Sequence, residues 1–476
     1  MKKRIFPVIL SGGQGLRLWP ASQTNLPKQF LSIESKRSLL YNTFIRLKDN
    51  LFEPLTIIGN KEHRFLLKKE LKENKIKYRS ILLEPMSKNT MAPVLLSVLH
   101  IINENPDSLI LVLPADHIII NKKKFIDSIK KATNLAEDGY LMTFGVKPTH
   151  PNTSLGYIKT DSKKKKNGYL IKKFVEKPDL NTAKKLLKGG NCFWNSGIFF
   201  FSSQTFISEC NIFAKESLNL AKKNFNQRKF DLDFEFFLSP LFKKFKNQPI
   251  DKAIMEKTKN GAVIPLSPKW SDVGSWSSIW DVMKKDSKGN VFKDQNVISH
   301  NVKNSLIWST NKKVAAIGVE DMIIIEDNDG ILISKKGNNE NLKNLVEEVL
   351  KINIKNIISN QPIFRPWGEY KSIHVGNGFL IKILKIYPKS KISLQYHNKR
   401  SEHWVVVEGT ATVTKGEKTF KLKTNQSTFI KKGEIHRLAN NTNNSLTLVE
   451  VQTGEYLKED DIIRLEDIYG RTKISE

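Results

Sequence analysis

Three groups of residues in this 476-residue chain combine types and spacings that suit chemistry. The first is VILSGGQGLRLWPASQTNLPKQF, residues 8–30, where a short apolar run breaks into a turn holding Gly12, Gly13 and Gly15, followed by Arg17 and Lys28. Glycines leave no Cβ to keep backbone N–H groups from closing around phosphate oxygens, and the two cations supply countercharge, so the stretch suits a triphosphate. It is neither a Walker loop nor a dinucleotide fingerprint, because no Gly-Lys-Ser/Thr follows and Leu18 stands where a third fingerprint glycine would be. The second is LPADHII, which puts Asp116 at the end of an apolar run, where a buried carboxylate needs a partner. A hard cation such as Mg2+ is a natural one, held by one or two carboxylates and substrate phosphates. A turn-forming aspartate is the plainer alternative. The third group is QYHNKRSEHWVVVEG with KKGEIHRLAN. On extended strands Gln395 and His397 share a face, Glu402 shares one with Trp404 and Val406, and His436 follows a turn. Gln395, His397, Glu402 and His436 would form a mixed N/O site for a divalent transition metal such as Zn, Co or Fe. His403 faces the other way and is not expected to be a ligand.

The elements that must position these groups can be read from periodicity. Apolar runs at 5–10, 55–58, 80–83, 109–113 and 141–144 alternate with helical patterns at 39–48 and 61–74, which predicts parallel strands with crossover helices. In such sheets ligands lie beyond the carboxyl ends of the strands. After the third run, Asn89 or Thr90 is a candidate helix cap. From residue 156 the texture becomes that of paired strands, predicted as an antiparallel lid, with Lys163–Lys166 at a solvated hairpin tip. Glu176 and Lys177 precede Pro178, so at a strand end both can reach a cleft, a carboxylate for hydroxyls and an ammonium for a phosphate. Trp276 and Trp280 are spaced as a core pair on a helix. Residues 286–335 hold short strands about ten residues apart, predicted as a small β-solenoid. An amphipathic helix over 339–351 would pack on the first domain or on a second copy of the chain in a homo-oligomer. From Arg365 onward the pattern is all β.

Composition excludes several classes. With 39% hydrophobic residues the chain can pack two or three domains. The apolar part of MKKRIFPVIL is too short for a signal-peptide core, and no segment approaches the ~18 apolar residues of a membrane helix. The lack of such a segment predicts no membrane association, and Cys192 and Cys210, which give neither a disulfide framework nor zinc spacing, predict a cytoplasmic setting. The net charge of +30 invites a nucleic-acid reading. The lysines are spread along the whole chain without a recognition motif, so no nucleic-acid partner is expected.

SGGQGLRLWPAS with PKQF resembles the signature of sugar-1-phosphate nucleotidylyltransferases, and the LWP and PKQF forms resemble their mannose-1-phosphate guanylyltransferase branch. The resemblance implies that EPMSKNTMAP, with Glu84, Asn89 and Thr90, lines the nucleotide base, although Ser87 and Lys88 stand where Gly-Arg is usual. It implies that Gly156, the pair Glu176–Lys177 in FVEKPD, and Asn195 with Ser196 and Gly197 bind the sugar phosphate. It also implies that Asp272 in SDVGSW is a second metal carboxylate beside Asp116. Farther on, the histidine motifs resemble both cupin motifs, with Lys431 in place of the usual proline. PWGEY, QYHNKRSEHW and the tail resemble the type II phosphomannose isomerase domain. That domain implies conversion of mannose-6-phosphate to fructose-6-phosphate, with Arg400, and more weakly Arg471, as candidates for phosphate or enediolate stabilisation.

The implied architecture is α/β: a Rossmann-like nucleotide-diphospho-sugar transferase domain over 1–285, a β-solenoid-like linker with its connecting helix over 286–360, and an all-β cupin domain over 361–476. The implied partners are GTP, mannose-1-phosphate and mannose-6-phosphate, with Mg2+ in the first domain. In the transfer, a sugar-phosphate oxygen would attack the α-phosphorus with Arg17 and Lys28 neutralising charge, and no general base is required. A different sugar or base, and a cupin that binds metal without catalysis, remain open.

Overall fold

The computed structural model describes residues 4–469 apart from 14, 267, 294, 329, 339–341 and 354–360, so Arg471 lies outside the described residues. Two compact units divide the chain: Met1–Arg64, Glu70–Asp327 and Ile331–Lys343 form one, and Phe65–Lys69, Asn328–Gly330 and Asn344–Glu476 the other.

In chain order the first unit begins with β1 (Ile5–Ser11), β2 (Leu55–Asn60), β3 (Tyr78–Glu84), β4 (Leu109–Pro114), β5 (Ile118–Ile119), β6 (Leu141–Val146) and β7 (Tyr157–Lys165). It continues with β8 (Gly168–Val175), β9 (Cys192–Ser202), β10 (Lys229–Asp231), β11 (Phe234–Phe236), β12 (Gly261–Pro265) and β13 (Trp270–Ser271). Eleven of these join in the order β10-β11-β3-β2-β1-β4-β9-β6-β12-β8-β7, while β5 and β13 pair with each other. All five apolar runs are strands. Neighbours among β1 to β4 are parallel, as are β6 and β12. The expected helices appear as Leu39–Arg46, whose first turn is capped by Ser38 Oγ on Tyr41 N–H, and Arg64–Glu73.

Two expectations fail here. The strands after residue 156 are not a separate lid, because β7, β8 and β9 belong to the main sheet and β9 runs antiparallel between β4 and β6. Its sequence, CFWNSGIFFFS, is apolar on both faces and buried along most of its length, and only the middle of a sheet covers both faces. The helix Met91–Glu104 is not capped by a side chain. Asn89 adopts a left-handed backbone (φ 62°), Thr90 Oγ1 accepts the Ile250 N–H (2.9 Å) and the Met91 N–H is taken by the Gln248 carbonyl (3.2 Å). The helix start is therefore closed by the distant segment 247–251.

Beyond the main sheet, β14 (Val291–Lys293), β15 (Val297–His300), β16 (Leu306–Ser309), β17 (Val314–Ile317), β18 (Met322–Asp327) and β19 (Gly330–Lys335) follow. β14, β16 and β18 stack in parallel and β15 pairs in parallel with β17, a short solenoid around Val302, Ile307 and Ala316. Trp276 is buried, whereas Trp280 is half-buried and donates its indole N–H to the Gly289 carbonyl.

The main part of the second unit, from Asn344, takes in most of the helix Leu342–Asn353 and continues with β20 (Ile363–Arg365), β21 (Gly368–Gly376), β22 (Phe379–Ile386), β23 (Ser390–Lys391), β24 (Leu394–His397) and β25 (Arg400–Glu408). Then come β26 (Thr410–Lys415), β27 (Lys418–Lys423), β28 (Ser427–Ile430), β29 (His436–Asn440), β30 (Leu446–Gly454) and β31 (Ile462–Glu466). One sheet has the order β20-β21-β22-β30-β25-β28, the other β27-β26-β29-β24-β31 with β23 beside β29. Alternating burial along β22 and β30 turns Leu384, Ile386, Leu446 and Leu448 into a core shared with Trp404 and Leu438. Among the described residues no helix is long and apolar enough to cross a membrane.

Candidate functional site

In the first unit, one cleft of about 590 Å³ opens at the carboxyl ends of β1, β3 and β4. Gly12, Gly13 and Arg17 line it after β1, Glu84 at the end of β3 with Asn89 and Thr90 beyond, and Asp116 after β4. Gly156, Glu176, Lys177, Asn195 and Asp272 line the same cleft. The glycines fit for steric reasons: a Cβ on Gly12 would lie 2.5 Å from Glu84 Oε2, and one on Gly156 would lie 2.6 Å from Glu176 Oε2.

Lys28 and Gly15 do not reach the cleft wall. The Lys28 ammonium is buried, pairs with Asp116 Oδ2 at 2.7 Å and donates to the Asp272 backbone carbonyl. Burial pushes the Asp116 carboxyl up, but Lys28, with a smaller effect from His117, more than offsets this and holds it below the ordinary range. His117 is buried and takes the Trp270 indole N–H on Nδ1 (3.3 Å), and burial depresses it to about 4, so it is a neutral packing group beside the carboxylate. Two carboxylates, Asp116 and Asp272, thus face one cleft with oxygen donors, a set that fits a hard cation.

The end of the cleft beyond β8 is built differently. Lys177 Nζ lies 3.4 Å from Glu176 Oε1, and Gly156 accepts the Asn195 N–H at 2.8 Å. Asn195 Oδ1 accepts from Thr143 Oγ1 (2.8 Å), and its Nδ2 donates to Asp251 Oδ1 (2.7 Å).

In the second unit, His397, Glu402 and His436 place ligand atoms within 4.8 Å of one another, all buried. His397 Nε2 is 3.0 Å from Glu402 Oε1, and His436 Nε2 is 3.7 Å from Glu402 Oε2. Apart from these approaches to Glu402, neither imidazole Nε2 meets a partner, and two buried nitrogens aimed at one carboxylate fit a divalent metal. Gln395, opposite His436 in the strand register, lines the adjoining pocket of about 50 Å³, and its Oε1 accepts from Ser393 Oγ. Arg400 is buried, with Nε 3.1 Å from Glu402 Oε1 and Nη1 on the Lys458 carbonyl. Burial raises the Glu402 carboxyl, but hydrogen bonding and charge from His397, with His436 and Arg400, bring it well below the ordinary range. His403 is exposed on the opposite face, as expected.

Three family profiles match in succession: nucleotidyl transferase over residues 6–289, MannoseP isomerase/GMP-like beta-helix domain over 295–349, and mannose-6-phosphate isomerase C-terminal over 353–467. The alginate biosynthesis protein AlgA of Pseudomonas aeruginosa is 40% identical over 98% of both chains. Mannose-1-phosphate guanylyltransferase RfbM of Salmonella typhimurium is 39% identical, again over 98% of both chains. The chain belongs to the mannose-1-phosphate guanylyltransferase family. It resembles the structure described as mannose-1-phosphate geranyltransferase from Thermus thermophilus (TM-score 0.66, 25% identity, 74% of this chain and 100% of that one). It also resembles mannose-6-phosphate isomerase from Helicobacter pylori (TM-score 0.50, 30% identity, 56% and 99%).

Several residues at both sites of this guanylyltransferase-family chain escape sequence reading. Asp251, Asn247 and Trp270 line the first cleft. Beside the His–Glu–His cluster, Glu450 and Gln452 of β30 enter the second site. Trp404 Nε1 donates to both Glu402 and Glu450, and Gln452 Nε2 donates to Glu402 Oε1 (3.1 Å) and Glu450 Oε2 (2.8 Å). Burial, and then the charge of Glu402, push the Glu450 carboxyl up. Lys382, buried and paired with Glu459 at 2.7 Å, lines the same pocket with Arg365. A signal was available for β30. Leu446, Leu448, Glu450 and Gln452 alternate on one face, so two polar groups sit at inward positions of a strand whose other inward positions are apolar.

Proposed function

We propose that the first unit transfers GMP from GTP to mannose-1-phosphate, giving GDP-mannose and pyrophosphate, and that the second interconverts mannose-6-phosphate and fructose-6-phosphate. Residues 1–285 would carry the transfer and 361–476 the isomerisation, with 286–360 connecting them. The observation that carries this reading is that Gly12 and Gly13, Glu84, the two carboxylates Asp116 and Asp272, and the Glu176–Asn195 corner all line one cleft. On giving up its proton, Glu84 offers guanine a carboxylate for the adjacent N1–H and N2–H donors. Gly12 and Gly13 bring backbone N–H groups to the phosphates and Arg17 supplies countercharge. The sugar phosphate is already ionised, so its oxygen attacks the α-phosphorus in line. One P–O bond forms, the bond to the β-phosphate bridge breaks, and pyrophosphate leaves with the electron pair. Asp116 and Asp272 would hold Mg2+, which neutralises developing phosphate charge when bound. Lys28 keeps the Asp116 carboxylate ionised and fixed. Glu176 takes sugar hydroxyls, and Lys177 takes the sugar phosphate.

In the second unit Gln395, His397, Glu402 and His436 would hold Zn, Co or Fe, which supplies a Lewis acid for the sugar carbonyl. Arg400 orients Glu402, and Arg365 with Lys382 gives the phosphate its countercharge. The product of the first unit would feed polysaccharide synthesis, the process named for the alginate and xanthan relatives.

The test is pyrophosphate release with Mg2+, crossing GTP, ATP, UTP and dTTP with mannose-1-phosphate and glucose-1-phosphate, wild type beside Asp116→Ala. Release confined to GTP with mannose-1-phosphate, and lost in the variant, supports the reading. Preference for another pair overturns the named substrates, and activity surviving in Asp116→Ala overturns the metal assignment.

A further inference from the structure

Asp251 lies in QPIDKAIMEK, a stretch with no sequence signal, yet its carboxyl reaches the cleft. It opens one wide helical turn, Asp251–Met255, in which the Glu256 N–H bonds the Asp251 carbonyl five residues back (2.9 Å). Such turns are rare and concentrate at functional sites. The carboxyl is 8% exposed and, among the described residues, forms no ion pair. Its Oδ1 is held by Asn195 Nδ2, and Asn195 is itself oriented by Thr143 Oγ1 on the neighbouring strand, so the position is fixed by the rigid middle of the sheet. The charged groups that face it are Glu176 and Lys177 at the end of β8. Burial first, and then the Glu176 charge, push Asp251 up to about 7. A buried carboxyl without a cation is costly unless neutral hydrogen-bonding partners come to it. A ring of hydroxyls is such a partner, and a carboxyl that exchanges its proton near neutrality can both accept from a hydroxyl and donate to one.

We propose that Asp251 is a sugar-binding, specificity-determining residue: with Glu176 and bridged by Asn195, it grips the hydroxyls of the hexose ring and discriminates between epimers. This rests on the first unit being a sugar-1-phosphate transferase. An epimer that directs a hydroxyl elsewhere leaves a buried acceptor unpaired, which is why the pair selects rather than only binds.

The experiment measures pyrophosphate release by wild type, Asp251→Asn and Asp251→Ala from pH 6 to 9, varying mannose-1-phosphate, its C2 epimer glucose-1-phosphate, and GTP in turn. For Asp251→Ala, KM for mannose-1-phosphate is expected to rise about 10-fold or more, the preference over the epimer to fall about 10-fold, and KM for GTP to stay put. Asp251→Asn keeps an acceptor for Asn195, so it recovers part of the KM and flattens the pH dependence of kcat/KM for the sugar near 7. Unchanged sugar KM and epimer ratio in both variants, or a parallel rise in the GTP KM, overturns the proposal. If the wild type prefers another nucleotide or sugar, the named substrates fall while the same ratios on that pair still decide the role of Asp251. No release from any pair overturns both.

Discussion

Glu84 is buried at the end of β3 and, among the described residues, forms no ion pair; burial alone pushes it up to about 8. The unfolded chain ionises such a side chain from about pH 4.3 and the folded chain only near 8, so between these values the folded state holds an extra proton and loses stability as pH rises. The loss amounts to about 1 kcal/mol at pH 5 and approaches 5 kcal/mol above pH 8. Glu84→Gln removes it but places an amide NH2 in a site where Oε1 already lacks a partner, costing about 1–3 kcal/mol at every pH. The two effects cross. At pH 5 the variant is expected to be no more stable than wild type, while at pH 8.5 it gains roughly 2–4 kcal/mol, or about 5–10 °C in Tm. Thermal melts at both pH values, following the transition that GTP shifts, test this. A Tm difference of the same size and sign at pH 5 and pH 8.5 refutes a neutral, destabilised carboxyl at this position.

Asp116→Asn removes both a cleft carboxylate and the anion paired with Lys28, and pyrophosphate release is expected to fall by about 10³-fold, roughly 4 kcal/mol in the barrier. Circular dichroism should remain that of wild type. Gly15 and Gly13 separate backbone strain from open space. Gly15 has φ +65° and a Cβ there would sit 2.4 Å from Lys28 Cβ, whereas nothing lies within 4 Å of one on Gly13. Gly15→Ala should cost about 2 kcal/mol or more in denaturant melts and Gly13→Ala under ~0.5; equal losses would mean the turn is not built as described. If the His397–Glu402–His436 cluster holds the proposed metal, wild type carries one equivalent by elemental analysis, and His397→Ala should lose it and its isomerase activity while guanylyl transfer continues. Retained metal at one equivalent would remove His397 from the ligand set.

What the sequence discloses and what it conceals follows from the distance over which each feature is built. The five apolar runs and the glycine turn are local: a strand's composition and the break after it lie within a few residues, and the cleft then follows from where parallel strands end. The cupin face is nearly as local, since Gln395 and His397 share a face of β24, Glu402 and Trp404 share a face of β25, and all four lie within ten residues. The insertion of β9 between β4 and β6 depends on partners about 50 to 90 residues away, and its two-sided apolar composition was the one cue that it would not sit as a lid. Lys28 is a similar case. Its spacing from the glycines suggests a phosphate ligand, but burial turns its ammonium to Asp116, a residue from another strand end.

Asp251 is the far limit. It reaches the cleft because Thr90 Oγ1 takes the Ile250 N–H and the Gln248 carbonyl takes the Met91 N–H, tying residues 248–250 to the start of a helix about 160 positions earlier. The same two hydrogen bonds replace the expected cap of that helix. One missed residue and one failed cap thus share a cause. The stretch implied to line the base anchors the segment that carries Asp251, so loss of Thr90 Oγ1 should disturb the sugar end of the cleft as well as the base end. Thr90→Val removes the acceptor at nearly constant volume. It is expected to raise KM for the sugar phosphate together with KM for the nucleotide, and an effect on the nucleotide alone would show that Asp251 is held by Asn195 without help from the helix.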